Sequence, residues 1–353
     1  MLVQVKNLFT QYIAFVNRLI SRQAHTPVLG IDIGTGTVKA VVISKNAGVI
    51  ELNAWAIVPI ANNDIKGAIS AALTRVKYTD QTVVSAVSGK GTLIRYVDLP
   101  RMPREDLRKS LLYDLDKYFP FEPETIYFDC FILDPKSKDK RMSVLVAAVK
   151  KEIADERSSL FKELGAELSH ITINSIGTAN AFERLGPVKG AGAAATAVLD
   201  IGCTVSNIMV IKGGSPCFTR DIFIGSQEMT KQIGNILGVS PAEAEKLKQA
   251  PGAREAEVKE ACEAAVSHLV SEIRLSLDYF ITEKNIQIDE FYLLGGGALL
   301  RGIEGVFEKN LGIPVKQWDI TSGIKINSSQ GDAEFRSCSA QLVIAIGLGL
   351  TQV

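Results

Sequence analysis

Asp32 closes the apolar run Val28–Leu29–Gly30–Ile31 and is followed by Gly34, Thr35, Gly36 and Thr37, with Lys39 seven positions after the acid. An acid, a small-residue turn carrying hydroxyls and one cation at this spacing suit a polyphosphate. Backbone N–H groups and hydroxyls donate to phosphate oxygens, Lys39 supplies charge, and Asp32 faces a hydrated metal. Val38 and Ala40 to Ile43 continue as strand-type residues, so the turn sits between two strands. Two commoner glycine motifs fail on spacing. Counted from Gly34, the sixth place of a dinucleotide fingerprint is Lys39, and β-branched residues follow instead of a helix. Gly89-Lys90 is followed by Gly91 where a P-loop needs Ser or Thr. A plain hairpin whose glycines supply positive φ remains an alternative for this stretch alone.

The pattern recurs downstream. In Ala197 to Ile211 (AVLDIGCTVSNIMVI), Asp200, Gly202, Cys203 and Thr204 repeat the acid, the glycine and the small polar turn between strands. Two such hairpins facing across a cleft would cradle a phosphate chain, with Asp32 and Asp200 reaching Mg²⁺ through its retained waters. A third element, Phe291 to Arg301 (FYLLGGGALLR), is a strand running into Gly295, Gly296, Gly297 and Ala298 and then a helix; here a flat base can lie close to the backbone.

These three motifs, in this order, resemble the phosphate-1, phosphate-2 and adenosine motifs of the actin and sugar-kinase superfamily. Val97 to Leu133, Val144 to Leu168 and Gly225 to Lys248 are similar to one branch of it, the type IV pilus assembly proteins of the PilM type, which stand beside FtsA. The likeness runs from about Pro27 to the C-terminus. It implies an α/β, two-lobed actin-like (ribonuclease H-like) ATPase fold with a small α+β insertion subdomain, binding ATP or ADP with Mg²⁺. It also implies a cytoplasmic location peripheral to the inner membrane. The implied partners are the cytoplasmic N-terminal tail of a PilN-like membrane protein, other proteins of the pilus assembly platform and a second copy of the chain. Family helices similar to AEAEKLK offer an acid and a base to ribose and adenine, here Glu243 and Lys246, although a solvated ion pair has the same spacing. Where relatives often carry an acid that orients the attacking water, this chain has Asn174, and an amide cannot accept a proton as a base. No catalytic residue is therefore certain, and at most slow ATP hydrolysis is expected. An FtsA-like division tether and a small-molecule kinase are the rival readings.

The elements that must position these residues follow from pattern. A chain of 353 residues exceeds one ordinary domain, so two lobes are expected. Lys+Arg and Asp+Glu are both 39, which gives no electrostatic case for nucleic acid. Five cysteines without a CxxC pair read as reduced thiols rather than a zinc site. Leu342 to Leu350 is too short to span a membrane, and no secretory signal is evident. Met1 to Arg22 places apolar residues at helical spacing with Lys6, Arg18 and Arg22 as the charges, a helix for an anionic lipid surface or for packing on protein.

The expected organisation is an amphipathic N-terminal helix over 1–26; a first lobe from 27–91 and 171–190 with the C-terminal helix 338–353; an insertion over 92–170 that binds the partner; and a second lobe over 191–337. Within it, Ser175 is expected to cap a helix, Gly186 to Ala195 and Gly323 to Phe335 to be loops, and Ser339 to Thr351 to form a buried helix. The aromatic group Tyr113, Tyr118, Phe119, Phe121, Tyr127, Phe128 and Phe131 reads either as a docking patch or as core.

Overall fold

The β-branched residues on either side of the first turn pair as an antiparallel hairpin, β1 (Val28–Ile33) and β2 (Thr37–Asn46), whose register sets Asp32 opposite Lys39. The computed structural model describes residues 27–135, 137–187, 195–328 and 331–352. The expected N-terminal helix, and most of the expected 186–195 loop, lie outside these described residues. β3 (Val49–Pro59) extends the hairpin. Helix α1 (Ile65–Arg75) follows, with the Asp64 carboxylate accepting from the Gly67 N–H as its N-cap. β4 (Thr82–Val87) then lies parallel to β1.

The insertion begins with β5 (Thr92–Pro100). Helix α2 (Arg104–Tyr113) and the short α3 (Leu115–Tyr118) end before Pro120, and β6 (Ile126–Ile132) and β7 (Arg141–Lys150) complete a three-stranded sheet in the order β5-β7-β6. Leu107, Leu111, Leu115 and Phe119 pack on Val144, Val146 and Ala148 to form its core. Helix α4 (Lys151–Glu163), expected with the insertion, packs elsewhere. Phe161 is buried among Leu29, Ile31 and Ile69 of the first lobe, and Arg157 Nη1 donates to the Ala86 carbonyl at 2.8 Å.

β8 (Leu168–Ile173) pairs parallel with β4 and runs directly into α5 (Asn174–Leu185). Because Ile173 is still extended, it takes the N-cap position. Ser175 is thus not the cap but sits buried in the first turn.

The second lobe repeats the scheme with β9 (Ala195–Ile201), β10 (Ser206–Lys212) and β11 (Ser215–Ile222). Helices α6 (Ser226–Leu237), α7 (Pro241–Gln249) and α8 (Glu255–Lys284) then lead to β12 (Ile288–Leu294), which is parallel to β9. Ser240 caps α7 by accepting from the Glu243 N–H, with Pro241 at the first helical position. The triple glycine enters a 3-10 turn, Gly296–Leu299, before α9 (Ile303–Leu311) and β13 (Val315–Gln317). An α-helix was expected directly there; left-handed Gly302 (φ +75°) separates turn and helix.

The segment expected as a polar loop of the second lobe contains β14 (Lys325–Ile326), which pairs parallel with Glu51 and Leu52 and so belongs to the first sheet. The final helix, α10 (Asp332–Gly349), starts earlier than expected, with Asp332 and Glu334 favoured in its first turn. From Ser339 onward it is buried nearly all round because it is covered on both sides. One continuous core joins Val41, Ile43 and Trp55 of the first sheet, Phe182 and Leu185 of α5, Leu342, Val343, Ala345 and Ile346 of α10, and Val198, Met209 and Leu294 of the second sheet. At the α5–α10 crossing, a Cβ on Gly347 would overlap the Gly177 carbonyl oxygen, and where α10 packs on β1, one on Gly30 would overlap the Ala345 carbonyl oxygen.

Candidate nucleotide site

Both Asp-x-Gly turns close in the same way. The Gly34 N–H donates to the Thr37 carbonyl at 3.0 Å, and the Gly202 N–H donates to the Val205 carbonyl at 3.2 Å. The tips meet, since the Thr35 and Thr204 hydroxyl oxygens are 3.0 Å apart. A Cβ on Gly36 would stand 3.2 Å from Cys203 Sγ, tighter than side chains usually allow. Asp32 is 1% exposed. Lys39 Nζ donates to its Oδ2 at 2.8 Å, and Asn174 Nδ2 donates weakly to its Oδ1 at 3.4 Å. Asn174 thus reaches the acid of the first turn.

The electrostatics are dominated by one cation among carboxylates. Burial disfavours the Lys39 ammonium, but Asp32 and Asp200 outweigh it and hold the lysine above its ordinary range. Asp200 is pushed up to about 6, chiefly by burial and further by the charges of Asp32 and Asp221, with Lys39 opposing. Asp221 is itself held by a 2.7 Å hydrogen bond donated by Asn207 Nδ2. A hydrated divalent cation would reverse the penalty on Asp200, so the donor set fits Mg²⁺.

The sign of that shift makes a prediction. Asp200 binds its proton more tightly in the native state, at about 6, than in an unfolded chain at 3.8. Its contribution to stability therefore falls as pH rises from about 4 to about 6 and is flat above. Asp200→Asn is expected to remove that slope and to raise stability at pH 7 by on the order of 1 to 3 kcal/mol. Thermal melts of parent and variant at pH 4 to 7 check it; a destabilised variant at pH 7 would contradict it.

The glycine turn closes the site from the second lobe. Gly295 has φ +87°, and a Cβ there would overlap the Asp200 carboxylate. Its N–H donates to the Ala340 carbonyl of α10 at 2.8 Å. Gly297 and Ala298 are buried beside Ile201, with exposed Gly296 just before them. Glu243 and Lys246 stand exposed on α7. The ion pair of that helix is instead Lys248–Glu245 at 2.7 Å, with Thr230 donating to Glu245 at 2.7 Å. Sequence reasoning passed over this pair because AEAEKLK holds two equal i,i+3 spacings.

The insertion meets both lobes. Phe119 is buried in its core, whereas Tyr113, Tyr127 and Phe131 are exposed. Phe131, opposite Leu145 in the ladder, lines a groove of 430 Å³ together with Ile176 and Ala179 of α5 and Gly214–Pro216 of the second lobe. The Tyr96 hydroxyl lies 2.7 Å from Thr219 Oγ1 of β11, and Ser215 Oγ donates to the Leu133 carbonyl at 3.4 Å.

Residues 30–353 match the family model described as type IV pilus assembly protein PilM. Among solved structures, a PilM-PilN type IV pilus biogenesis complex aligns with a TM-score of 0.81 at 22% identity, covering 92% of this chain and 98% of that one. The ethanolamine utilization protein EutJ from Carboxydothermus hydrogenoformans aligns with a TM-score of 0.52 at 16% identity, over 96% and 97% of the two chains. A diol dehydratase-reactivating factor in nucleotide-free form aligns with a TM-score of 0.55 at 9% identity, over 92% and 99%. The fold is the two-lobed actin-like one. Among the described residues no helix is long and apolar enough to cross a membrane.

Proposed function

The chain belongs to the type IV pilus assembly protein PilM family, and from that premise we propose that it is an ATP-binding scaffold of the pilus assembly platform, peripheral to the inner membrane, that holds the cytoplasmic tail of a PilN-like membrane protein. The observation that carries the nucleotide half is the convergence of Asp32, Lys39 and Asp200 beneath two touching glycine turns. Backbone N–H groups of Gly34 to Thr37 and of Cys203 and Thr204 would hold the phosphates, with Lys39 on their oxygens. Asp32 and Asp200 would orient the waters of Mg²⁺, which supplies charge neutralisation when bound. Gly295 to Ala298 would lie along the base, with Glu243 and Lys246 toward ribose and adenine. Entry of the phosphates would replace the Thr35–Thr204 contact and draw the two lobes together around the ligand.

Asn174 orients through its amide but takes no proton, so turnover well below the ~1 to 100 s⁻¹ of kinases is expected. Rapid phosphoryl transfer to a sugar or small alcohol would favour the kinase reading instead.

The tail half rests on the groove between insertion and first lobe, which exposed Phe131 and Ile176 both line. An extended apolar segment suits it. The test is calorimetric titration with a PilN-like tail peptide, together with mass-spectrometric detection of nucleotide carried through purification. Phe131→Asp is expected to weaken the peptide about tenfold or more, since a charge would be placed in an apolar contact. Parent-like affinity would place the tail elsewhere.

A further inference from the structure

Lys90, Arg95, Arg220 and Ser175 converge on a cavity of 390 Å³ that neither the nucleotide site nor the tail groove uses. Its walls come from three bodies: the Gly89–Arg95 stretch entering the insertion, the start of α5 in the first lobe, and Thr219–Asp221 of β11 in the second. α5 is 12 residues long, and no side chain caps its first turn. Backbone N–H groups of a first turn have no acceptor within their own helix. Ser175 lies in that turn and is only 4% exposed. It lines the cavity, and its hydroxyl has no hydrogen-bond partner among the described residues.

With no partner in the chain, the hydroxyl opens on the cavity and is free to donate to whatever enters it. The charge of the walls says what that is. Arg220 is held in place by Ser276 and Glu272, and Arg95 by the Tyr118 carbonyl. Lys90 has no ion-pair partner among the described residues. The acidic residue on the wall, Asp221, accepts from Asn207. Arg220 is balanced by Glu272, which leaves Lys90 and Arg95, a helix N-terminus and a hydroxyl open to the cavity to make an oxyanion environment.

We infer that this cavity binds a phosphoryl group, either inorganic phosphate or the head of a small phosphomonoester. The Ser175 hydroxyl and the first-turn N–H groups of α5 donate to its oxygens, and Lys90 balances its charge. Bound there, the group bridges first lobe, insertion and second lobe. It also tightens the junction already made by Tyr96 and Thr219.

The test is isothermal titration calorimetry on the full chain at constant ionic strength, with inorganic phosphate and with glucose 6-phosphate. The parent is expected to bind. Ser175→Ala and Lys90→Ala are each expected to weaken binding by about fivefold or more, the loss of one hydrogen bond or one charge. The paired change Asp32→Asn with Lys39→Met, which alters only the nucleotide cleft, is expected to leave it unchanged. Tighter binding of the sugar phosphate identifies a monoester, and equal binding identifies the phosphoryl group alone; either supports the site. Melting of Ser175→Ala without phosphate is expected at or above the parent temperature, because the hydroxyl makes no hydrogen bond to the described residues that the change would remove. No binding by the parent, unchanged affinity in Ser175→Ala, loss of binding in the cleft variant, or a lowered melting temperature of Ser175→Ala would each overturn the inference.

Discussion

Gly347→Ala is expected to lower the stability of the folded chain by about 3 kcal/mol or more, at the upper end of what overpacking a core costs. The added methyl would overlap the Gly177 carbonyl oxygen and the adjoining backbone of α5. Backbone cannot rotate away as a side chain can, so α10 and α5 would have to separate. Both helices are clamped between two sheets through Phe182, Leu342, Val343 and Ile346, and a shift at the crossing disturbs both lobes at once. Gly305→Ala provides the control. Nothing lies within 4 Å of a Cβ at Gly305, which is inside helix α9, so that change should be neutral or stabilise by up to about 1 kcal/mol. Urea denaturation of the two variants checks the contrast. A Gly347 variant as stable as the parent would mean that the helices do not cross at this distance.

The second large effect belongs to the cleft. Lys39→Ala removes the partner of a carboxylate that is almost wholly buried, with side-chain exposures of 14% for Lys39 and 2% for Asp32. Leaving a buried charge with only the weak Asn174 amide contact is expected to cost about 3 to 5 kcal/mol of stability. Affinity for Mg-ATP should fall by a further 1 to 3 kcal/mol, about the value of a lost charge-assisted contact. Joining Asp32→Asn to Lys39→Met should restore most of the stability and none of the nucleotide binding. If the double variant were as unstable as Lys39→Ala, repulsion from an unpaired Asp32 would not be the cause. If it bound Mg-ATP like the parent, the site would lie elsewhere.

What the sequence made legible was what short-range chemistry fixes. Asp32 and Lys39 are seven apart on a two-strand hairpin, so their meeting is a local matter of register. The Ser240-Pro241 cap and the Pro120 stop are equally local. The contact between Thr35 and Thr204, 169 positions apart, depends on how two sheets are set by the helices between them, which no local pattern encodes. Ser175 illustrates the same limit at close range: Ser at the start of a helix suggests a cap, but β8 stays extended through Ile173 and moves the serine into the turn. The aromatic group divided for a similar reason. Alternation says that neighbouring positions on β6 face opposite ways, but only the packing of α2 on β7 decides that Cys130 points to the core and Phe131 to the groove. β14 is two residues long and carries no periodicity at all.

The order of synthesis gives the crossing of α5 and α10 a different significance. β1 begins at Val28, yet the helix that covers it begins at Asp332, so the first lobe depends on pairings between nearly opposite parts of the chain. The second sheet is built from 195–317 alone and has one face covered by helices within that span, so only its other face, with Val198, Met209 and Leu294, also waits for α10. Such long-range closure is slow, because a large loop entropy must be lost before any contact is gained. On the ribosome the second lobe can condense while the apolar face of β1 and β2 still waits, exposed to chaperones and to other nascent chains. Arrival of α10 then acts as a completion signal, and a nascent chain halted before Asp332 should remain protease-sensitive in its earliest-made half and resistant in its later one.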